Sequence, residues 1–242
     1  MAEIPESVRA LLRPWVVQAQ KLFGESLEAV ILYGSAAGSE YLPGRSNINL
    51  LLLFTKSEPG LLAQYAVLHK KRWQKEQIVA PLILTTAELQ ASLALFPLEY
   101  LEIKEQHILL AGRDPFPELR IDETNLKLQC QQELRGNLLR LRQRFVEGGG
   151  TTEAMAILIP LSLTAVLPCL RGLLRVAGRQ PERSVEAVIE SARRELGVEM
   201  SALHDALKLK RGIMSPGPLE MPRLFERYEA VLRTLIDTAG QS

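Results

Sequence analysis

Between Val30 and Phe54 the chain carries two runs of β-favouring residues joined by a small polar link, a pattern that few architectures accept. Val30–Tyr33 is a short apolar run that stops at Gly34-Ser35. Asn47–Phe54, NINLLLLF, is nearly continuous in leucine and long enough for a strand buried in a sheet. The small turn between them suits an anion. Without a Cβ at Gly34 the backbone can come close to a phosphate, and the turn amides and the Ser35 hydroxyl supply donors. Arg45 and Ser46, just ahead of the second strand, complete the candidate phosphate-binding set. Asn47 and Asn49 are two apart on an extended chain and so point to the same side.

This arrangement resembles the signature of the nucleotidyltransferase superfamily that includes DNA polymerase β, poly(A) polymerases and aminoglycoside nucleotidyltransferases. In that family a Gly-Ser turn is followed, about a dozen residues on, by Asp-x-Asp on the next strand; Gly34-Ser35 and Asn47-Ile48-Asn49 fall on those positions. A further glycine follows the serine in many members, and Gly38 stands one step from the commonest spacing. Gly112-Arg113-Asp114-Pro115 is similar to a Gly-x-Asp-Pro segment of aminoglycoside-type members, and a plain turn explains it equally well.

The resemblance implies an active site built on Mg²⁺, and here the chain departs from it. Two-metal transfer needs anionic oxygens to hold the ions and bridge them to a triphosphate. Asparagine keeps the shape of aspartate and loses its charge. Each lost unit charge forfeits about 4 kcal/mol of gross attraction per unit of metal charge at ~4 Å and an effective dielectric near 20. The family's third carboxylate lies on a later strand, and the candidate strand, Gln77–Thr85, holds no acid; Glu88, Glu99 and Glu102 are the nearest beyond it. The expectation is a catalytically impaired or inactive nucleotidyltransferase-like protein. Its catalytic and metal positions are degenerate at Asn47 and Asn49, it needs no cofactor, and it binds a nucleotide, small ligand or protein partner in an interdomain cleft. Two alternatives stay open: an active, Mg²⁺-dependent enzyme transferring a nucleoside monophosphate to a small molecule or protein, and a non-enzymatic oligomeric interaction module.

The remaining pattern predicts an α+β chain: a mixed sheet with flanking helices over residues 1–117, then an up-and-down helical bundle over 118–242. Helices are expected over Pro5–Phe23 and Leu61–Gln74, the latter ending in Lys70, Lys71, Arg72 and Lys75. A third strand is expected over Ile78–Leu84, a short helix capped by Thr85 or Thr86 and ended by Phe96-Pro97, and a last apolar run at His107–Leu110. Leu98–Ile103 suits helix or strand. From Ile121 helical spacing takes over, with helices at 122–147, 151–176, 181–196, 201–211 and 221–239.

Composition bounds the function classes. A net charge of +1 with 24% charged residues gives no global electrostatic case for nucleic acid or an anionic membrane. Cys130 and Cys169 lie far apart in apolar helical patterns and read as reduced thiols of a cytoplasmic protein. The N-terminus has no apolar run of signal-peptide type. Ala154–Leu170, uncharged but interrupted by Pro160 and Pro168, falls short of a bilayer span and reads as the central helix of a bundle; no membrane association is expected. Arg135, Arg140, Arg142 and Arg144 suit either a phosphate-facing wall or solvated helix flanks. Glu133 and Glu153 are conceivable general bases. His69, His107 and His204 show no metal spacing.

Overall fold

The computed structural model describes residues 4–38, 41, 43, 46–56, 59–69, 78–180, 182 and 184–241. By contact the chain divides into two compact units, Met1–Leu95 with Glu99–Ile121, and Phe96–Leu98 with Asp122–Ser242. The protein is α+β, with all of its described strands in the first unit and a helical second unit.

In the first unit α1 (Glu6–Phe23) precedes β1 (Leu27–Tyr33), and a 3₁₀ turn (Gly34–Ala37) leads toward β2 (Asn49–Phe54). Then follow α2 (Pro59–Leu68), β3 (Leu82–Thr85), α3 (Thr86–Ser92), α4 (Pro97–Glu105) and β4 (His107–Gly112). The sheet order is β3-β2-β1-β4; β1 runs antiparallel to β2 and β4, and β2 runs parallel to β3. Strand alternation explains the leucine run. Leu50, Leu52 and Phe54 pack with Val8, Leu12, Trp15 and Phe23 of α1, whereas Leu51 and Leu53 pack with Leu89 of α3, Tyr100 and Ile103 of α4, and Phe116. Both faces of β2 are covered, so apolar side chains are needed at every position. Leu119, two residues past the expected boundary at Pro117, is buried in the same cluster as Phe116, and α5 is capped only at Asp122.

The third strand is shorter than the apolar run suggests. Ile78 pairs with Ile48 as an isolated bridge, Val79 N–H donates to the Ile48 carbonyl at 3.2 Å, and regular pairing resumes only at Leu82. Pro81, which has no N–H to donate, interrupts the ladder between them. Thr85 caps α3 through a capping box with Glu88. Pro97, expected to end that helix, instead opens α4 at the first helical position, where a missing N–H costs nothing. The ambiguous stretch Leu98–Ile103 is therefore helical. Lys70, Lys71, Arg72, Lys75 and Gln77 lie outside the described residues, as does Arg45.

The second unit comprises α5 (Glu123–Glu147), α6 (Thr152–Val176), α7 (Val185–Leu196), α8 (Ser201–Lys210) and α9 (Glu220–Gln241). Asp122, Thr151 and Ser184 cap α5, α6 and α7 by accepting from the backbone N–H three residues on. After the Ser184 cap α7 begins at Val185; Pro181, the expected start, lies outside the described residues. Gly149 and Gly150, at φ +65° and +63°, turn the chain sharply between α5 and α6. Every other helix of the unit packs on α6. With 25 residues and a mean hydropathy of 1.9 in its best window, α6 is long and apolar enough to cross a membrane, which corrects the expectation of too short a segment; its buried side chains form the bundle core. Cys130 and Cys169 are buried free thiols, and burial pushes the Cys130 thiol up to about 12. At neutral pH it stays protonated and unreactive.

Candidate functional site

Because β1 and β2 are antiparallel, the end of one meets the start of the other. Tyr33, the last residue of β1, pairs with Asn49, the first of β2. Gly34 follows with φ +73°, a left-handed conformation that side chains other than glycine rarely adopt. Ala36 and Ala37 are buried in the α1-side core and anchor the turn, while Ser35 is half-buried and Gly38 N–H closes back on the Ser35 carbonyl at 3.1 Å. A Cβ at Gly34 would lie 3.0 Å from Asn49 Nδ2, so the Asn49 amide rests directly on the turn. The sequence-predicted Gly34, Ser35 and Asn49 thus come together.

Ile48, between the two asparagines, is buried in the α1-side core. Alternation therefore turns Asn47 and Asn49 to the opposite face, that of Leu51 and Leu53. Asn47 precedes β2 and is exposed; Asn49 and Ser46 are half-buried. Tyr33 shares this face, and its hydroxyl is pushed above its ordinary range first by burial and then by the negative charge of Glu99 and by Tyr100. Glu99, exposed on α4, is thus a carboxylate whose field reaches the Asn49 side of the sheet.

The other carboxylates near the sheet are engaged locally. Glu88 accepts from the Thr85 backbone N–H at 2.7 Å and from its hydroxyl at 3.0 Å. Glu28 accepts from the Thr86 hydroxyl. Asp114 accepts from the Phe116 backbone N–H at 3.0 Å and bonds His107 Nε2 at 3.1 Å, while His107 Nδ1 bonds the Lys104 carbonyl at 3.0 Å. Gly112 ends β4, and Asp114 in the link after it is tied back to the start of that strand. Among the described residues no group of three or more His, Cys, Asp or Glu could hold a metal ion. Two side-chain amides, a serine hydroxyl and one carboxylate at a distance do not fit Mg²⁺, which takes carboxylate and phosphate oxygens.

Sequence reasoning missed Tyr33 and Gln106. Gln106, between α4 and β4, reaches the far end of the same turn: a Cβ at Gly38 would stand 1.5 Å from its Nε2. The signal available was Gly38 itself, read only as a displaced family glycine. In the second unit Arg142 ion-pairs with Glu229 at 2.6 Å and Arg140 with Glu133 at 3.7 Å, as solvated flanks do; Glu153 is exposed. A hollow of about 230 Å³ lined by Arg9, Leu12, Arg13, Val16 and Leu110 shares no residue with the Gly34 corner.

No known protein family's sequence model matches the chain, and no curated protein matches it. Among solved structures it is similar to spectinomycin adenyltransferase AAD(9) from Enterococcus faecialis, crystallised with ATP and spectinomycin. The identity is 12% and the TM-score 0.39, over 94% of this chain and 97% of that one. So distant a likeness leaves the function to the geometry of the site.

Proposed function

We propose that the first unit is a nucleotidyltransferase-like domain that binds a nucleotide through its polyphosphate without metal and without turning it over. The observation that carries this reading is the Asn49 amide lying on Gly34, at the position where the family resemblance expects a metal-holding carboxylate. An aspartate there grips a phosphate through a cation; an asparagine at the same point presents N–H donors and can grip an anionic oxygen directly. Ser35 and the turn amides supply the neighbouring donors, and Asn47, exposed on the same face, a further one. With no cation to neutralise the leaving pyrophosphate and no paired acids to activate an acceptor, the corner holds its ligand and leaves it intact.

The test is calorimetric titration of the full chain with ATP in EDTA and again in Mg²⁺, with pyrophosphate release followed in parallel. Binding of equal strength in both conditions and no pyrophosphate is the expected result. Pyrophosphate appearing only with Mg²⁺ would overturn the reading in favour of an active enzyme. Replacing Asn47 and Asn49 together by Asp should make Mg²⁺ strengthen ATP binding, because it restores the missing charge.

A further inference from the structure

We infer that the side-chain amide of Gln106 is a ligand-binding group of the Gly34–Ser35 corner and donates to an anionic oxygen of the bound polyphosphate; this rests on the reading of that corner given above. Gln106 sits in the link between α4 and β4, its backbone N–H donating to the Glu102 carbonyl at 3.0 Å. The next residue, His107, pairs across the sheet with Tyr33, which immediately precedes Gly34. Strand register therefore brings the base of the Gln106 side chain to the turn.

Gly38 explains where that side chain goes. Its φ of −130° is extended backbone open to any residue, so conformation does not call for glycine here. Space does: an added Cβ would fall 1.5 Å from Gln106 Nε2 and 2.7 Å from its Cδ. The half-buried amide lies against the backbone at the end of the turn that begins with Gly34 and Ser35. Among the described residues it makes no side-chain hydrogen bond, although its carbonyl and NH₂ offer several. The amide is not one of the buried polar atoms left without a partner, so water reaches it, and an anionic oxygen of a ligand can take that water's place. Keeping a glycine to admit it, beside donors already suited to an anion, gives the amide a use that packing alone does not.

Gly38 also supplies a second, independent way to remove the group. Only the far end of a flexible side chain opposes a Cβ there, so Gly38→Ala should swing the Gln106 amide away and leave the turn in place. The experiment is calorimetric titration of the full chain, in EDTA, with ATP and with sodium tripolyphosphate. Gln106→Ala and Gly38→Ala should each weaken both probes about tenfold, the usual size of one lost hydrogen bond to a charged group. The double variant should lose no more than either single one, since both delete the same contact. Gln106→Glu, which keeps the shape and adds a negative charge, should bind worse than Gln106→Ala. Wild-type affinity in Gln106→Ala, additive losses in the double variant, equal binding by Gln106→Glu and wild type, or a loss with ATP but not tripolyphosphate would each overturn the inference. If Ser35→Ala and Asn49→Ala weaken binding while Gln106→Ala does not, the corner stands and only the role of Gln106 falls. If the wild type binds neither probe, the corner reading fails with it.

Discussion

Two asparagines, one in each unit, serve opposite ends. Asn137, on α5, is 5% exposed; its Nδ2 donates to the Ser162 carbonyl at 3.2 Å, its Oδ1 accepts from the Ser162 hydroxyl, and that hydroxyl accepts from Tyr228 at 3.0 Å. One polar chain ties α5, α6 and α9 together inside an apolar core. Asn49, on β2, is half-buried and packed on Gly34, yet its amide makes no hydrogen bond among the described residues. The bundle uses its amide fully as structure, because a buried polar group left unsatisfied costs about 1–3 kcal/mol. The corner of the sheet leaves its amide with bonds still to make. The same residue type is a fastener in one unit and an open hand in the other.

The contrast is broken or sharpened first by Asn137→Ala. Deleting that side chain takes away the acceptor of the buried Ser162 hydroxyl and opens a small cavity, so the bundle should lose about 3 kcal/mol, read as a lower urea midpoint of the helical signal. A loss below about 1 kcal/mol would mean the polar chain is not a fastener. Next comes Gly34→Ala, which forces a side chain into a left-handed φ and against the Asn49 amide; a loss of about 1–2 kcal/mol is expected, with weaker ATP binding. Asn49→Ala is the complement. Its stability should stay within about 0.5 kcal/mol of wild type while ATP affinity falls about tenfold. Should Asn49→Ala unfold the protein as readily as Asn137→Ala, the two amides do the same job.

How legible each region was in the sequence follows from how local its causes are. β1, the Gly34-Ser35 turn and β2 are set by alternation and by a glycine whose φ no neighbour could supply, so a reading of the run from Val30 to Phe54 finds them. The helix caps at Asp122 and Thr151 are equally local, each accepting from a backbone N–H three residues on. Pro81 and Pro97 are both visible in the sequence, but proline's meaning depends on position: a break in a ladder in one case, a helix start in the other. Gln106 was beyond reach. Its reason for being there is Gly38, far back in the chain, and the pairing of His107 with Tyr33 that joins them is a property of the folded sheet. Tyr33 escaped for the same reason, since Glu99 reaches it only once α4 lies over that face.

Carboxylates repeat the contrast on a smaller scale, in Glu88 and Glu99. Glu88 is spent in the capping box of α3, and the Thr85 backbone N–H, then its hydroxyl, hold its carboxyl below the usual 4.5. A folded-state value below the unfolded one means the contribution is fully present above pH 4.5 and is lost as pH falls through the lowered value. Wild type and Glu88→Gln should therefore differ slightly in thermal midpoint at neutral pH and converge in acid, the gap staying small because the group is exposed to screening water. Glu99 makes no such bond among the described residues, and its effect is the field it casts on Tyr33, adding to burial in raising that hydroxyl. Glu99→Gln should let Tyr33 ionise at lower pH, seen in a difference titration of tyrosinate absorbance against Tyr33→Phe. A Tyr33 titration left unmoved by Glu99→Gln would show that burial alone raises this hydroxyl and that the field of Glu99 does not reach the Asn49 side of the sheet.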